Sequence, residues 1–430
     1  MRNMMGNSIP SAAIGYSMKR VFHGWKMVAA GSGIQFLQSC LLLQSFGAYV
    51  AVLRDDRGWS KTELSFAAAL HQMEAAILGP LLGWIIDRFG AQGVIRTGVV
   101  VLGCGFMLLS QIETLFAFYC AFVVVALGSS LAGFMPLNIS LIYWFEKKRA
   151  RALSTLGLGL ALGGIAVPLV AWFIATYGWR ATAFGSGVII LLVGLPLSFV
   201  IRGRPHLYGE FVDGEPLAAT PSKMQAMQKK DATRDFTARE ALRTPAFWLL
   251  SLGHGFALFV VTAVNVHAIT HLKEGLGYPV ATAALFIMLM TFAQIGGIAI
   301  GAVTGDKFEK RLICAACMVM HMAGLLFLTY ATNVAMIVAF ALFHGVAWGL
   351  RGPFMQAIRA DYFGVSAIGM ILGLSFMIIV VGQIGGPMIA GFLADVTGNY
   401  RTGFTVLALL AGVGSVFFLL ARKPARPAVT

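Results

Sequence analysis

Apolar residues run along this chain in blocks of about 20, the length an α-helix needs to cross the hydrocarbon core of a bilayer. In order, the blocks predict twelve helices: 27–52, 64–86, 94–112, 117–143, 152–176, 181–201, 246–271, 280–304, 312–331, 334–357, 367–394 and 401–421. Most polar breaks between them are short. One hydrophilic stretch, Arg202 to Arg243, divides the helices six and six and mixes eight bases with six acids. It reads as a linker, and Phe236 to Leu242 within it suits a short helix at a membrane surface. Three parts follow: an N-terminal bundle over 1–201, the linker over 202–243 and a C-terminal bundle over 244–430. No loop leaves room for a separate catalytic or extracellular domain.

The two sets of helices share a plan. GWIIDRFG, Gly83 to Gly90, closes one apolar block and leads into the next, and GAVTGDKFEKR, Gly301 to Arg311, echoes it. An offset of 219 positions lays Asp306 on Asp87, Lys307 on Arg88 and Phe308 on Phe89, and also carries Leu53–Trp59 onto Leu272–Tyr278. Internal symmetry between two sets of hydrophobic spans is the mark of a secondary transporter with its site between the repeats.

Composition agrees: of 430 residues, 58% are hydrophobic and only 12% charged, which makes this a polytopic membrane protein. The first 20 residues are polar and small, and the first apolar block is long enough to remain as a span, so no signal peptide is read. All five cysteines fall inside apolar blocks, and the CxxC of Cys314 and Cys317 reads as helix packing rather than redox chemistry. The net charge of +14 does not point to nucleic acid, because the bases border the spans. Of 32, 25 lie in the tails, the linker and the loops on their side, six lie in the opposite loops, and Arg351 lies within a span. Positive-inside bias then places both termini and the linker in the cytoplasm, for a multi-pass protein of the cell inner membrane. There is no HExxH, no phosphate-binding glycine loop followed by Lys, and no nucleophile and base in motif context, so an embedded enzyme is not indicated. No cofactor or metal is expected.

The GxxxDRxG pattern of Gly83, Asp87, Arg88 and Gly90 resembles the best-known signature of the major facilitator superfamily. YWFEKKRARALSTLGLGLALGG (Tyr143 to Gly164), YGWR (Tyr177 to Arg180), ADYFG (Ala360 to Gly364) and GGPMIAGFLADVTGNYR (Gly385 to Arg401) resemble its bacterial branch of monocarboxylate-transporter and oxalate:formate-exchanger relatives. The resemblance implies an all-α integral membrane protein, with twelve transmembrane helices in two six-helix bundles built from inverted repeats. It also implies a cavity lined by helices 1, 4, 7 and 10 and transport by alternating access. The loop signature usually continues with basic residues where this chain has Ala91 and Gln92; Arg96 restores charge nearby. Monocarboxylate transporters usually carry a Lys in helix 1 and an Arg in helix 8, near which this chain has Gln44 and Gly297.

At a helix end Asp87 can accept hydrogen bonds from a cation or a neighbouring helix amino terminus and hold the halves closed on the inside. Arg88, Arg96 and Glu146 are its expected partners, with Asp306, Lys307 and Lys310 a weaker copy in the second half. Ionisable groups at membrane depth cost about 2.5 kcal/mol or more unless they face a cavity or partner, so they nominate the site. Glu74 is the one carboxylate placed deep in a span, and His71 shares its helical face; the pair is expected to carry a coupling proton. His344, Trp348 and Arg351 stack along one stripe of helix 10 and suit a small organic anion, with snorkelling of Arg351 to the membrane border as the alternative. Gln35, Gln38 and Ser45 in helix 1, Asn138 in helix 4, His254 and Asn265 in helix 7, Gln294 in helix 8 and Gln383 in helix 11 are expected to orient the solute or to bond between helices. His267 points to the other side of helix 7, and His321 in helix 9 is read as structural. GxxxG pairs at Gly79 and Gly83, Gly159 and Gly163, Gly297 and Gly301, Gly369 and Gly373, and Gly382 and Gly386 predict close helix contacts on which one half can rock. The expected activity is proton-coupled transport of a mono- or dicarboxylate by a monomer in the lipid bilayer. An exporter or exchanger of a neutral or cationic metabolite or drug, and a non-transporting sensor on the same scaffold, stay open.

Overall fold

The computed structural model describes residues 22–215 and 234–428; the middle of the linker and most of the first tail, on which earlier expectations also fall, lie outside the described residues. Ten helical stretches are long and apolar enough to cross a membrane. One, Arg149–Val200, contains Gly178 at φ 81°, a left-handed turn that divides it in two. Counting its two parts and the 29-residue helix Lys61–Phe89, the described residues form twelve long helical segments. We label them α1 (23–57), α2 (Lys61–Phe89), α3 (Ala91–Leu109), α4 (Leu115–Trp144), α5 (149–177), α6 (179–200), α7 (Pro245–Gly275), α8 (Val280–Thr304), α9 (Lys310–Thr329), α10 (Val334–Phe363), α11 (Ile368–Thr397) and α12 (Arg401–Leu420).

Local chemistry sets the ends. Ser60 and Glu63 form a reciprocal capping box that starts α2, Thr114 caps α4, and Thr244 with Pro245 opens α7. The expected linker helix is present as Ala238–Leu242, capped by Thr237 and Glu240. Boundaries depart from the hydrophobic blocks in two places that matter. α1 widens to π-type turns at Ser39–Leu43, where Ser45 Oγ donates to the Cys40 carbonyl at 2.5 Å. α10 runs on to Phe363 instead of stopping at 357, which brings Arg359 inside a helix.

Helices α1–α6 pack among themselves, as do α7–α12, and the halves meet where α2 lies on α11 and where α5 lies on α8 and α10. Two of the predicted glycine pairs make the first contact. Gly79 and Gly83 of α2 face Gly373 and Gly369 of α11 so closely that a Cβ on Gly83 would fall on the Gly369 carbonyl. In the second contact Gly301 faces Ser154 and Gly305 faces Ala150. The hydrophobic core has a matching shape. Residues of the linker-side end of the N-terminal half, such as Ile86, Ile142 and Leu153, share one core with the whole C-terminal half. Residues of its far end, such as Leu53, Phe106, Phe118 and Trp179, form a second core of their own. The halves are fused on the linker face and separate beyond it.

Candidate functional site

Between the halves lies a cavity of about 200 Å³, walled by α1, α2, α4, α5, α10 and α11. Leu43, Leu78, Leu82, Phe134, Met135, Leu160, Phe376 and Ile379 supply an apolar surface; Gln35, Gln38, His71, Gln72, Ser129, Ser130, Gln356, Arg359 and Ser375 supply the polar groups. Among the described residues, three of the cavity's buried polar atoms have no hydrogen-bond partner: Gln35 Nε2, Gln38 Nε2 and Arg359 Nε. All three are donors. A donor left dry costs about 1–3 kcal/mol, so a solute that brings acceptors recovers that deficit. The Arg359 guanidinium is held in place by its other nitrogens, which donate to the Met355 carbonyl at 2.6 Å and the Leu250 carbonyl at 3.2 Å. Arg359 itself is 1% exposed.

On the linker side two carboxylates bond across the halves. Asp87, at the end of α2, accepts from the Gly369 and Met370 backbone N–H groups at 2.8 Å each and from the Tyr143 hydroxyl at 3.2 Å. Asp306, just after α8, accepts from the Ala150 and Arg151 N–H groups at 2.9 and 3.0 Å. Each carboxylate therefore sits on the amino terminus of a helix of the opposite half, where unpaired N–H groups and the helix dipole favour an anion. The linker repeats the device within each half: Asp213 accepts from the N–H groups of Glu146, Lys147 and Lys148, and Asp235 from those of Val365 and Ser366. Beside Asp306, Asp361 of α10 is paired with Arg149 at the start of α5 and with Lys310 at 2.9 Å.

A sequence profile described as Major Facilitator Superfamily matches residues 32–350 and 250–430. The chain belongs to the major facilitator superfamily. Among relatives of this superfamily member, monocarboxylate transporter 13 of Bos taurus is 24% identical across 92% of this chain and 89% of its own length. Monocarboxylate transporter 4 of Gallus gallus is 26% identical across 81% and 73%. A probable sulfoacetate transporter of Cupriavidus necator is 23% identical across 85% and 86%. In structure the chain matches the proton:xylose symporter XylE with a TM-score of 0.72, at 16% identity over 94% of this chain and 97% of that one. The E. coli fucose:proton symporter FucP matches with a TM-score of 0.70, at 14% identity over 94% and 100%. The chain is thus a transporter of the major facilitator fold and not an enzyme, as its sequence led us to expect.

Within this superfamily fold the expected site residues scatter. Gln35, Gln38 and His71 line the cavity. Glu74 turns toward α4, where its carboxylate accepts from Ser130 Oγ at 2.8 Å; no bond to His71 joins them among the described residues. The α10 stripe does not line the cavity. His344 is buried with its Nδ1 3.2 Å from Nδ1 of His321, Trp348 stands edge-on to it, and Arg351 lies 1% exposed inside the C-terminal half with Nη1 3.4 Å from Met355 Sδ. Arg351 therefore neither snorkels out nor reaches this cavity. Asn138 donates to the Phe134 carbonyl of its own helix, Asn265 is exposed, and His254 is buried outside the lining. His267 bonds Tyr400 and the Pro387 carbonyl. Helix α7 contributes no lining residue, whereas α2, α5 and α11 do, which departs from the expected set of helices 1, 4, 7 and 10.

The latch partners differ too. Arg88 lies over Trp84 and Phe89, Arg96 over Phe199, and the Glu146 N–H goes to Asp213, while Arg204 lies over the ring of Tyr143, whose hydroxyl bonds Asp87. Asp306 accepts two backbone N–H groups, as Asp87 does, but no tyrosine hydroxyl, and Lys310 rather than the exposed Lys307 accompanies it, at 4.0 Å. Sequence reading missed Arg359 by ending helix 10 at 357 and passed over Gln356 just inside that end; their three-residue spacing was the signal that they share a face.

Proposed function

We propose that this transporter moves a small organic anion through the central cavity by alternating access, coupled to a proton, as a monomer whose linker face is cytoplasmic. The observation that carries the reading is that the buried polar atoms of this wall without a partner among the described residues are all donors: Arg359 Nε, Gln35 Nε2 and Gln38 Nε2. One guanidinium suits one carboxylate or sulfonate, and the apolar wall suits the rest of a small amphipathic solute. The names of the relatives, monocarboxylate and sulfoacetate transporters, support an anion. Arg359 thus takes the part that Arg351 has in the sequence reading. Clustering of 25 bases on the linker side supports the orientation. For the proton, Glu74 is the candidate: one oxygen bonds Ser130, and Oε1 is buried without a partner one helical turn from cavity-lining His71.

A thermal-shift screen of purified protein against small carboxylates, sulfonates, amino acids, sugars and amines tests the solute class. Anions should stabilise the wild type and lose that effect in Arg359→Gln, while Arg351→Gln keeps it. Stabilisation by amines or neutral sugars that survives Arg359→Gln would overturn the reading. In proteoliposomes Glu74→Gln should retain solute exchange but lose acceleration by an inward proton gradient; if the gradient still drives accumulation, the proton takes another route. Absence of labelled-solute counterflow would favour the sensor.

A further inference from the structure

Away from the transport cavity, α9, α10 and α12 enclose a second cavity of about 750 Å³ on the linker face. Four cations line it, Lys310, Arg311, Arg422 and Lys423, against two carboxylates, Glu309 and Asp361. Both carboxylates are already matched. Asp361 pairs with Lys310 and with Arg149 of the other half, and Glu309 pairs with Arg311 at 2.8 Å. Arg422 and Lys423 are exposed and make no ion pair among the described residues, so the cavity holds an excess of positive charge.

Hydrogen bonds anchor the chain just before those two cations. At the end of α12 the Leu419 carbonyl accepts from Arg311 Nη1 at 3.0 Å and the Ala421 carbonyl accepts from the Tyr362 hydroxyl at 2.7 Å. These bonds satisfy carbonyls that a helix end leaves open and hold the backbone next to the two cations. The amino terminus of α9 begins in the same wall and adds its partial positive charge. Phe308, 62% exposed, and Leu419, 47% exposed, form the apolar part of the lining.

We propose that this cavity holds the headgroup of an anionic phospholipid from the linker-side leaflet. The phosphate lies between Arg422, Lys423 and the first turn of α9, and the acyl chains run along Phe308 and Leu419. The setting selects a lipid over a soluble anion: the cavity opens at the ends of membrane-spanning helices and offers exposed apolar side chains for which free phosphate has no use.

Native mass spectrometry of the full-length protein, released from membranes containing phosphatidylglycerol and phosphatidylethanolamine, tests this. Wild type should retain phosphatidylglycerol preferentially, and the R422Q/K423Q variant, altered only at exposed positions past the end of α12, should lose the preference by about tenfold. Lys273→Gln, an exposed charge on the opposite face, should leave it unchanged. Equal retention of the two lipids by wild type, an unaltered preference in R422Q/K423Q, or an equal loss in Lys273→Gln overturns the proposal. So does protection against heat by free glycerol phosphate that matches phosphatidylglycerol, which would make the ligand a soluble anion.

Discussion

Two carboxylates, Asp87 and Asp306, make the same contact between the halves with different support. Asp87 on α11 and Asp306 on α5 each take two backbone N–H groups from the opposite half, at positions related by the same 219-residue offset as the carboxylates themselves. Around Asp87 the help is a tyrosine hydroxyl and a guanidinium stacked on that tyrosine. Around Asp306 it is an ionic chain in which Lys310 and Arg149 share Asp361. The repeat has kept the part that faces backbone and replaced the side chains, because a helix amino terminus presents the same N–H groups whatever its sequence.

Removing both carboxylates should have the largest effect. A hydrogen bond to a charged group contributes about 1 kcal/mol more than a neutral one, and Asn can keep only the neutral kind at the four backbone contacts, so the double variant D87N/D306N should shift the population toward a state open on the linker face by roughly a hundredfold or more. Pulsed EPR between spin labels at Phe89 and Phe308, exposed at equivalent ends of α2 and α8, reads that opening as a longer distance, and counterflow should fall at least tenfold while expression holds. Collapse of expression together with transport would instead make the latches structural.

The single variants come next. Asp87→Asn should open the face more than Asp306→Asn, since Asp361 and Arg149 still tie α5 to α10 when Asp306 is lost; the reverse order would mean that the ionic chain holds nothing. Arg149→Gln alone should change the distance distribution only slightly, yet combined with Asp306→Asn it should exceed the sum of the two by about 1 kcal/mol in a double-mutant cycle.

Smallest of all is the response of the linker to pH. Arg234 and the Thr237 N–H push the Glu240 carboxyl down from its usual 4.5 to about 2. A depressed folded-state pKa adds stability that is complete above 4.5 and fades as pH falls toward 2. Limited proteolysis near 236–242 should therefore proceed at the same rate at pH 8 and pH 5 after correction for protease activity, and Glu240→Gln should quicken it at both.

Sequence made the architecture legible because lipid imposes its own period: twelve apolar blocks, one long polar break, and a repeated Gly–Asp turn. The partners of Asp87 were not legible, since a backbone N–H carries no residue signature and the pattern offers only nearby side chains such as Arg88 and Arg96. The end of α10 was hidden for a related reason. Arg359 and Asp361 look like loop charges, but carbonyls of Met355 and Leu250 hold one, and Arg149 and Lys310 hold the other. Leu250 and Arg149 lie more than a hundred positions away. Eight residues of helix also turn the chain by about 80°, so Arg351 and Arg359 look toward different neighbours.

The glycine seam makes the resting conformation of this protein adjustable by a single methyl group. At Gly83 an added Cβ has nowhere to go, because what it meets is the Gly369 carbonyl, which cannot change rotamer. Overpacking of this kind costs about 1–3 kcal/mol, and only in the arrangement where α2 and α11 touch. Gly83→Ala is thus a wedge that leaves each bundle intact and penalises one member of the conformational pair by roughly ten- to hundredfold. Such a variant is a starting material for antibodies and inhibitors that recognise the opposite state.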